Sequence, residues 1–427
     1  MRLFKYILWG IIIVFFHSCS TESYIYVNKT QFIKNEKPYH YIGTNYWYGA
    51  MLAAESGDRK RLLKELDEMK SLGITNLRVL ACSEGGDKDF MVKSATQPSP
   101  NIYNEELLRG LDFLLNEMRK RNMDAVLYLT NSWDWSGGMP KYLEWNGYGK
   151  IPDASAGGIG WSQYTQYMSQ FQECEPCKKA LLNNIKYIIN RKNTINGVNY
   201  KDDKTIMSWE IANEPRIWTV ENEFRFTDWI NNIAAEIKAL DKNHLVTTGS
   251  EGSVGSNLDI QAFERTHRSP QIDYLTIHIW PKNWTWYNKL DEEKSLEISL
   301  EKTLNYIDSH ILVANKLQKP LVLEEFGFPR AQESLSKSSS VALRNQYYKA
   351  IFEKFRNEVN AKSPFAALNF WGYAGIAENN QKDGKWNLGD DYTADPPQEP
   401  QGLNSVFSSD KETIELIKKY NELIKSK

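Results

Sequence analysis

Two short stretches put a carboxylate where a buried strand would have to end. Thr205-Ile206-Met207-Ser208-Trp209-Glu210-Ile211 runs into Ala212-Asn213-Glu214-Pro215, and Leu321-Val322-Leu323 runs into Glu324-Glu325-Phe326-Gly327. Pro215 and Gly327 stop each strand just after the acid. A charge at the end of a buried strand is costly unless it has a partner or a task. One such Glu is most simply a rim residue in a salt bridge; two, each followed by a breaker, weaken that reading. A pair of carboxyls can divide the roles of proton donor and nucleophile or base, one held neutral and one ionised by its surroundings. Arg78, ending another apolar run, is the expected charge partner. Successive strand residues point to opposite faces, so only one of Glu324 and Glu325 should face the site. The same alternation sets Glu210 one layer below Glu214. His278 and Trp280, two apart, share a strand face. The chain has 6 His and no HxH or HExxH spacing at the candidate strand ends. No catalytic metal and no other cofactor is predicted.

The elements that must position these groups alternate. Strand candidates are residues 41–44, 75–79, 124–129, 205–211, 245–248, 274–278, 321–325 and 366–371. Several are near-continuous apolar runs, as parallel strands buried on both faces require. Helix candidates lie between them at 59–71, 105–121, 173–191, 226–240, 300–316 and 341–359, with 412–425 as the last helix. The weakest unit is the fifth, where 258–267 must supply the helix. Eight strand–helix units predict an α/β fold, a (β/α)8 TIM barrel with long loops at its C-terminal face, where catalytic groups of this architecture sit. The long insertions are 132–172 and 280–294, both Trp-rich.

Composition narrows the partner. The net charge is −2, which argues against a nucleic-acid surface. The 14 Trp are too many to bury comfortably, since each desolvated indole N–H needs an acceptor. Some should therefore line a surface for a flat-faced ligand such as a sugar, a base or a cation. Arg2 and Lys5 precede a short apolar run, 7–16, too short to span a bilayer but suited to a signal-peptide core. Cys19, after Phe16-His17-Ser18, resembles a bacterial lipoprotein cleavage site. Residues 1–19 are accordingly expected to be a lipoprotein signal peptide with Cys19 lipidated, and 20–427 a single catalytic barrel domain. The expected location is the outer membrane, cell surface or periplasm, or the medium if Cys19 is not lipidated. Cys174-Glu175-Pro176-Cys177 is a CxxC pair without a second pair or a His cluster, so it reads as a local disulfide or two free thiols rather than a zinc site.

A resemblance joins these features. The chain from Gly43 to Val406 resembles glycoside hydrolase family 5, of clan A, and within it the endo-β-1,4-mannanase branch. The residues carrying the likeness are Gly43-Thr44-Asn45-Tyr46-Trp47-Tyr48, Asn76-Leu77-Arg78, Leu129-Thr130-Asn131-Ser132-Trp133 with Gly137-Gly138-Met139, Ala212-Asn213-Glu214-Pro215-Arg216, His278-Ile279-Trp280, Glu325-Phe326-Gly327, and Asp395-Pro396-Pro397-Gln398-Glu399-Pro400-Gln401-Gly402. The resemblance implies a retaining endo-β-1,4-mannosidase acting on mannan, galactomannan or glucomannan by double displacement. Glu214 would be the acid/base and Glu325, directly before aromatic-Gly, the nucleophile. Asn213 would bond the sugar 2-hydroxyl, Arg216 a mannose on the leaving-group side, and Trp371 would form the platform at the cleavage point. His278 and an aromatic, here Trp280 where Tyr is more usual, would orient the nucleophile. Trp47, Trp133, Trp135, Trp284 and Trp286 are candidate stacking residues, and 395–402 should fold over the barrel mouth. The expected partner is a β-mannan polysaccharide or oligosaccharide, bound by a monomer. A β-1,4-glucanase or another β-mannoside hydrolase on the same fold is the first alternative. A non-catalytic glycan-binding surface lipoprotein is the second, and the presence of both acids argues against it.

Overall fold

The computed structural model describes residues 23–154, 158–378 and 383–425; the expected signal peptide and Cys19 lie outside them. A small antiparallel sheet comes first, β1 (Tyr26–Asn28), β2 (Gln31–Lys34) and β3 (Lys37–Pro38). Eight parallel strands follow: β4 (Tyr41–Asn45), β5 (Asn76–Leu80), β6 (Asp124–Tyr128), β7 (Ile206–Glu210), β8 (Leu245–Thr247), β9 (Leu275–Ile279), β10 (Leu321–Phe326) and β11 (Phe365–Phe370). They pair in the order β8-β7-β6-β5-β4-β11-β10-β9, so consecutive strands are neighbours and the first pairs with the last. Between β8 and β9 the ladder lapses, and side chains help close the seam. Thr247 Oγ1 donates to the Tyr274 carbonyl at 2.9 Å, and the Asp273 N–H donates to the Val246 carbonyl at 2.8 Å. This is the (β/α)8 barrel the alternation predicts.

Every barrel strand is buried along its whole length, which explains why the runs are apolar rather than alternating. At the amino-terminal end of the barrel, Tyr41, Val126, Met207, Leu245, Tyr274, Val322 and Ala367 cluster with Ile25 and Phe32. The first small sheet therefore plugs that end. Lys34 and Tyr39 both reach Asp124 at 2.6 Å and pin it there.

The surrounding helices are α1 (Gly49–Ala53), α2 (Arg59–Ser71), α3 (Glu105–Lys120), α4 (Gly138–Trp145), α5 (Gly158–Ser169), α6 (Glu175–Ile189), α7 (Glu223–Leu240), α8 (Ile260–Thr266), α9 (Glu292–Leu317), α10 (Ala342–Asn360) and α11 (Lys411–Lys425). In α3, Leu107, Leu108, Leu111, Leu114, Leu115 and Met118 make one buried stripe. Asn104 caps it by accepting from the N–H of Glu106, and Glu105 and Glu106 lie at the positive end of its dipole. The fifth unit does form its helix, the seven-residue α8, capped by Asp259. Helix α9 begins eight residues before the expected start, because Glu292 and Glu293 suit a first turn and lengthen it into the expected loop. The first long insertion is not mere loop, since it carries α4 and α5. Cys174 and Cys177 form a disulfide at the start of α6, which selects that reading of the CxxC pair over free thiols.

Candidate active site

The C-terminal ends of β5, β7, β9 and β10 converge on one guanidinium. Arg78 is fully buried and faces several acceptors at once. Its Nε and Nη2 hold both carboxylate oxygens of Glu210, at 3.0 and 2.5 Å. Its Nη1 donates to Glu325 Oε1 at 2.5 Å and to Asn45 Oδ1 at 3.0 Å, and Nη2 also donates to Asn213 Oδ1 at 2.7 Å. Charge-assisted bonds of this kind fix position as well as supplying energy. The second oxygen of Glu325 accepts from the Trp280 indole N–H at 3.1 Å.

Glu214 approaches from the loop after β7. Its φ is +53°, the left-handed region, just before a proline. Such a conformation costs on the order of 1–3 kcal/mol and persists only where the surroundings impose it. Here the Glu214 N–H donates to the Gly249 carbonyl at 2.9 Å, and the Asn213 N–H to the Thr130 carbonyl at 2.8 Å. Gly249 itself has φ +78°, and a Cβ there would sit 1.9 Å from the Ala212 carbonyl and 2.2 Å from Glu210 Oε1. Only glycine lets the two loops meet. The Glu214 carboxyl contacts His278 Nδ1 at 2.8 Å and accepts from the Trp133 indole N–H.

The outcome is a carboxyl pair. One oxygen of Glu214, one of Glu325 and one nitrogen of His278 all lie within 4.8 Å of one another. Three donors so close could in principle hold a cation, but Arg78 already supplies the positive charge at Glu325. Burial raises both carboxyls above the ordinary range. They titrate as a pair, and the first negative charge settles where donors are strongest. Glu325 has a guanidinium and an indole N–H in contact, against an indole N–H and a neutral imidazole at Glu214, so the donors favour the charge on Glu325 and the proton on Glu214. His278 is neutral, since burial, and then Arg78, lower it to about 3.

A cleft of roughly 540 Å³ opens over the pair. Trp133, Trp135, Trp280, Trp284, Trp371, Asn213 and Arg216 all line it. The Trp371 and Trp280 rings meet edge to face at 5.6 Å, and Gly327 leaves space for the Trp280 ring. Two expected stacking residues are elsewhere. Trp47 is fully buried, its N–H donating to the Ala394 carbonyl at 2.7 Å and its ring packed on Trp135 and Tyr392. It supports the cleft from behind and offers no face to a ligand. Trp286 packs under Trp284, off the cleft. Arg216 is less available than the sequence suggests, because Nε and Nη2 grip Glu251 at 2.5 and 2.6 Å, with the rings of Trp133, Trp161 and Trp218 around it.

Glu324 also departs from expectation. The pairing of β10 with β9 shifts register between Leu323 and Glu325. This irregularity breaks strict alternation. Both acids face inward: Arg78 lies 2.5 Å from Glu325 and 3.7 Å from Glu324.

Sequence reasoning missed Glu251 and Trp161. Glu251 follows β8 after Gly249-Ser250 and is a third strand-end carboxylate, recognisable by the same pattern had the loop been counted. Trp161 sits on α5 in the first insertion, with no periodicity to mark it. The closing segment supplies Pro396, Gln398 and Glu399 to the cleft wall. It is braced by the buried Asp395, which accepts from the N–H groups of Gly402, Asn404 and Ser405.

Comparison with known proteins adds to this geometry. Residues 22–427 match a family model described as GH family 5 beta-mannosidase-like. A mannan endo-1,4-beta-mannosidase of Oryza sativa subsp. japonica is 31% identical over 342 residues, covering 77% of this chain and 74% of that protein. The crystal structure of a glycoside hydrolase family 5 mannosidase from Rhizomucor miehei superposes with a TM-score of 0.87 at 33% identity, covering 95% of this chain and 98% of the other. A point mutant of that mannosidase was solved in complex with mannosyl-fructose. An endo-1,4-beta-mannanase from the same organism shares the fold at a TM-score of 0.68 and 23% identity, over 95% of this chain and all of that one.

Proposed function

The chain belongs to glycoside hydrolase family 5, in its β-mannosidase-like group, and from that premise we propose that it hydrolyses β-1,4-linked mannosides with net retention. Glu325 attacks the anomeric carbon while Glu214 gives its proton to the departing glycosidic oxygen. The C–O bond breaks, and the sugar is left as an ester on Glu325. Glu214, now a carboxylate, takes a proton from a water whose oxygen attacks the same carbon and releases Glu325. Two inversions restore the starting configuration. The observation that carries this reading is the oxygen separation within 4.8 Å. Retaining pairs lie about 5–5.5 Å apart, whereas inverting pairs stand about 6.5–9.5 Å apart to admit a water. In this reading Asn213 meets the 2-hydroxyl and Trp371 lies under the ring, which their position on the cleft wall supports.

The proposed substrate is a β-mannan, with galactomannan and glucomannan included, cut within the chain. A second reading, release of short products from chain ends, is favoured by a cleft of only roughly 540 Å³ and by the close match to a mannosidase structure. Proton NMR of the first product on linear mannan, with product profiles on galactomannan, glucomannan and cellulose, tests all of this. The β-anomer should form first and the mannans should be cut. An α-anomer first would reject retention, early mannobiose or mannose alone would select chain-end action, and preference for cellulose would make the protein a glucanase. No cleavage of any would leave a binding protein.

We further propose that residues 1–19 direct export and that Cys19 carries a lipid anchor. Expressed in a bacterium fed labelled palmitate, the chain should take up label, and Cys19→Ala should not. An unlabelled native chain rejects the anchor.

A further inference from the structure

Beneath the carboxyl pair lies a second buried acid that the mechanism does not use. Glu324 is completely buried, and so is Glu210. The groups facing Glu324 come from several strands: Tyr41 on β4, Arg78 on β5, Glu210 on β7, Tyr274 just before β9, His278 on β9, and its own neighbour Glu325. The Glu324 and Glu210 carboxyls both lie against the Arg78 guanidinium, at 3.7 and 2.5 Å. Two ionised carboxylates so placed repel each other strongly in a dry interior. Glu324 Oε1 accepts a long bond of 3.4 Å from the Tyr274 hydroxyl. Oε2 receives no hydrogen bond from any N–H or O–H donor among the described residues, and His278 Nε2, 4.0 Å away, is also unpartnered. Glu210 takes both guanidinium nitrogens and Glu325 takes the third, so Glu324 is left with Arg78 at 3.7 Å, beyond hydrogen-bond range.

Three acids thus crowd one guanidinium, with His278 neutral beside them. Fully ionised, the layer would hold an uncompensated charge of −2 (three carboxylates against one Arg78), a heavy penalty for a buried site. We propose that Glu324 holds a proton behind Arg78, which makes Glu324 a positioning residue that leaves the Arg78 charge directed at Glu325. The proton sits on Glu324 Oε2, on the side of Arg78 and Glu210, which accounts for the donor-less oxygen. Burial raises Glu324 well above the carboxylate range, in keeping with this.

The inference rests on the retaining reading above, and the test separates the two. Glu324→Leu removes the polar group behind Arg78 and lets the guanidinium shift off Glu325, so kcat should fall ~tenfold with KM little changed. Glu324→Gln keeps a neutral donor and should restore most of that loss, with the acid limb of kcat/KM where the native enzyme has it. Were Glu324 ionised, its charge would raise Glu325, and Gln would then move the acid limb down by about a pH unit or more. That shift overturns the proton on Glu324 while leaving the mechanism intact. A Glu324→Gln chain that fails to fold also overturns it, because a neutral isostere would then be no substitute for the native group. A Glu324→Gln enzyme as inactive as Glu325→Gln overturns both, since Glu324 would be the nucleophile.

Discussion

Replacing Glu325 with alanine should lower kcat on mannan by on the order of 10⁴-fold or more, a loss typical of removing a group that bonds to the substrate. The fold should survive, because Arg78 keeps its two bonds to Glu210 and those to Asn45 and Asn213. The buried cation is therefore not orphaned, and the penalty of a broken buried pair is largely avoided. Circular dichroism should match the native protein. The cavity left by the carboxyl lies on the α-face of the sugar, so added azide should attack the anomeric carbon from that side. With an activated aryl β-mannoside it should yield an α-mannosyl azide and restore turnover. Near-native hydrolysis by Glu325→Ala would remove the nucleophile from Glu325, and the adjacent Glu324 would be the next to replace.

Replacing Glu214 with alanine should cost about 10²- to 10⁴-fold in kcat on mannan, where the leaving sugar hydroxyl needs a proton. The loss in the first step should shrink on aryl mannosides with acidic leaving groups, which depart without one. The ester on Glu325 should then accumulate, and azide should release it as a β-mannosyl azide. The pH profile carries a sign. Glu214 acts protonated, and burial raises it, so the native rate should fall as pH rises through that raised value. Glu214→Ala should lose this alkaline limb on the activated substrate. An equal loss on good and poor leaving groups, with the limb retained, would assign the proton donor elsewhere.

Much of this arrangement was legible in the chain itself. A parallel strand buried on both faces has to be apolar, so an acid at its end stands out against its surroundings. That contrast located Glu214, Glu325 and Arg78, and the strand–helix alternation located the barrel that gathers them. The 14 Trp pointed to a flat-faced ligand, and five of those proposed do line the cleft. The two misplaced ones, Trp47 and Trp286, differ from Trp133 and Trp284 in nothing local. Whether an indole faces a cleft or a neighbour depends on which distant loop arrives beside it, and Ala394 is 347 residues from Trp47.

The tertiary structure alone decided three further things. Glu324 turns inward with Glu325 because the β9–β10 register shifts between Leu323 and Glu325, and that shift depends on the partner strand. Arg216 is committed to Glu251 because two loops from different strands meet over the barrel, a contact 35 residues apart that no local pattern announces. The Glu214 conformation is imposed by Gly249 on the next strand's loop. Local sequence sets period, burial and chain reversals, since these follow from a residue and its near neighbours. Register, loop contacts and the charge state of a buried layer depend on groups brought together from opposite ends of the chain, so they emerge only when the barrel closes.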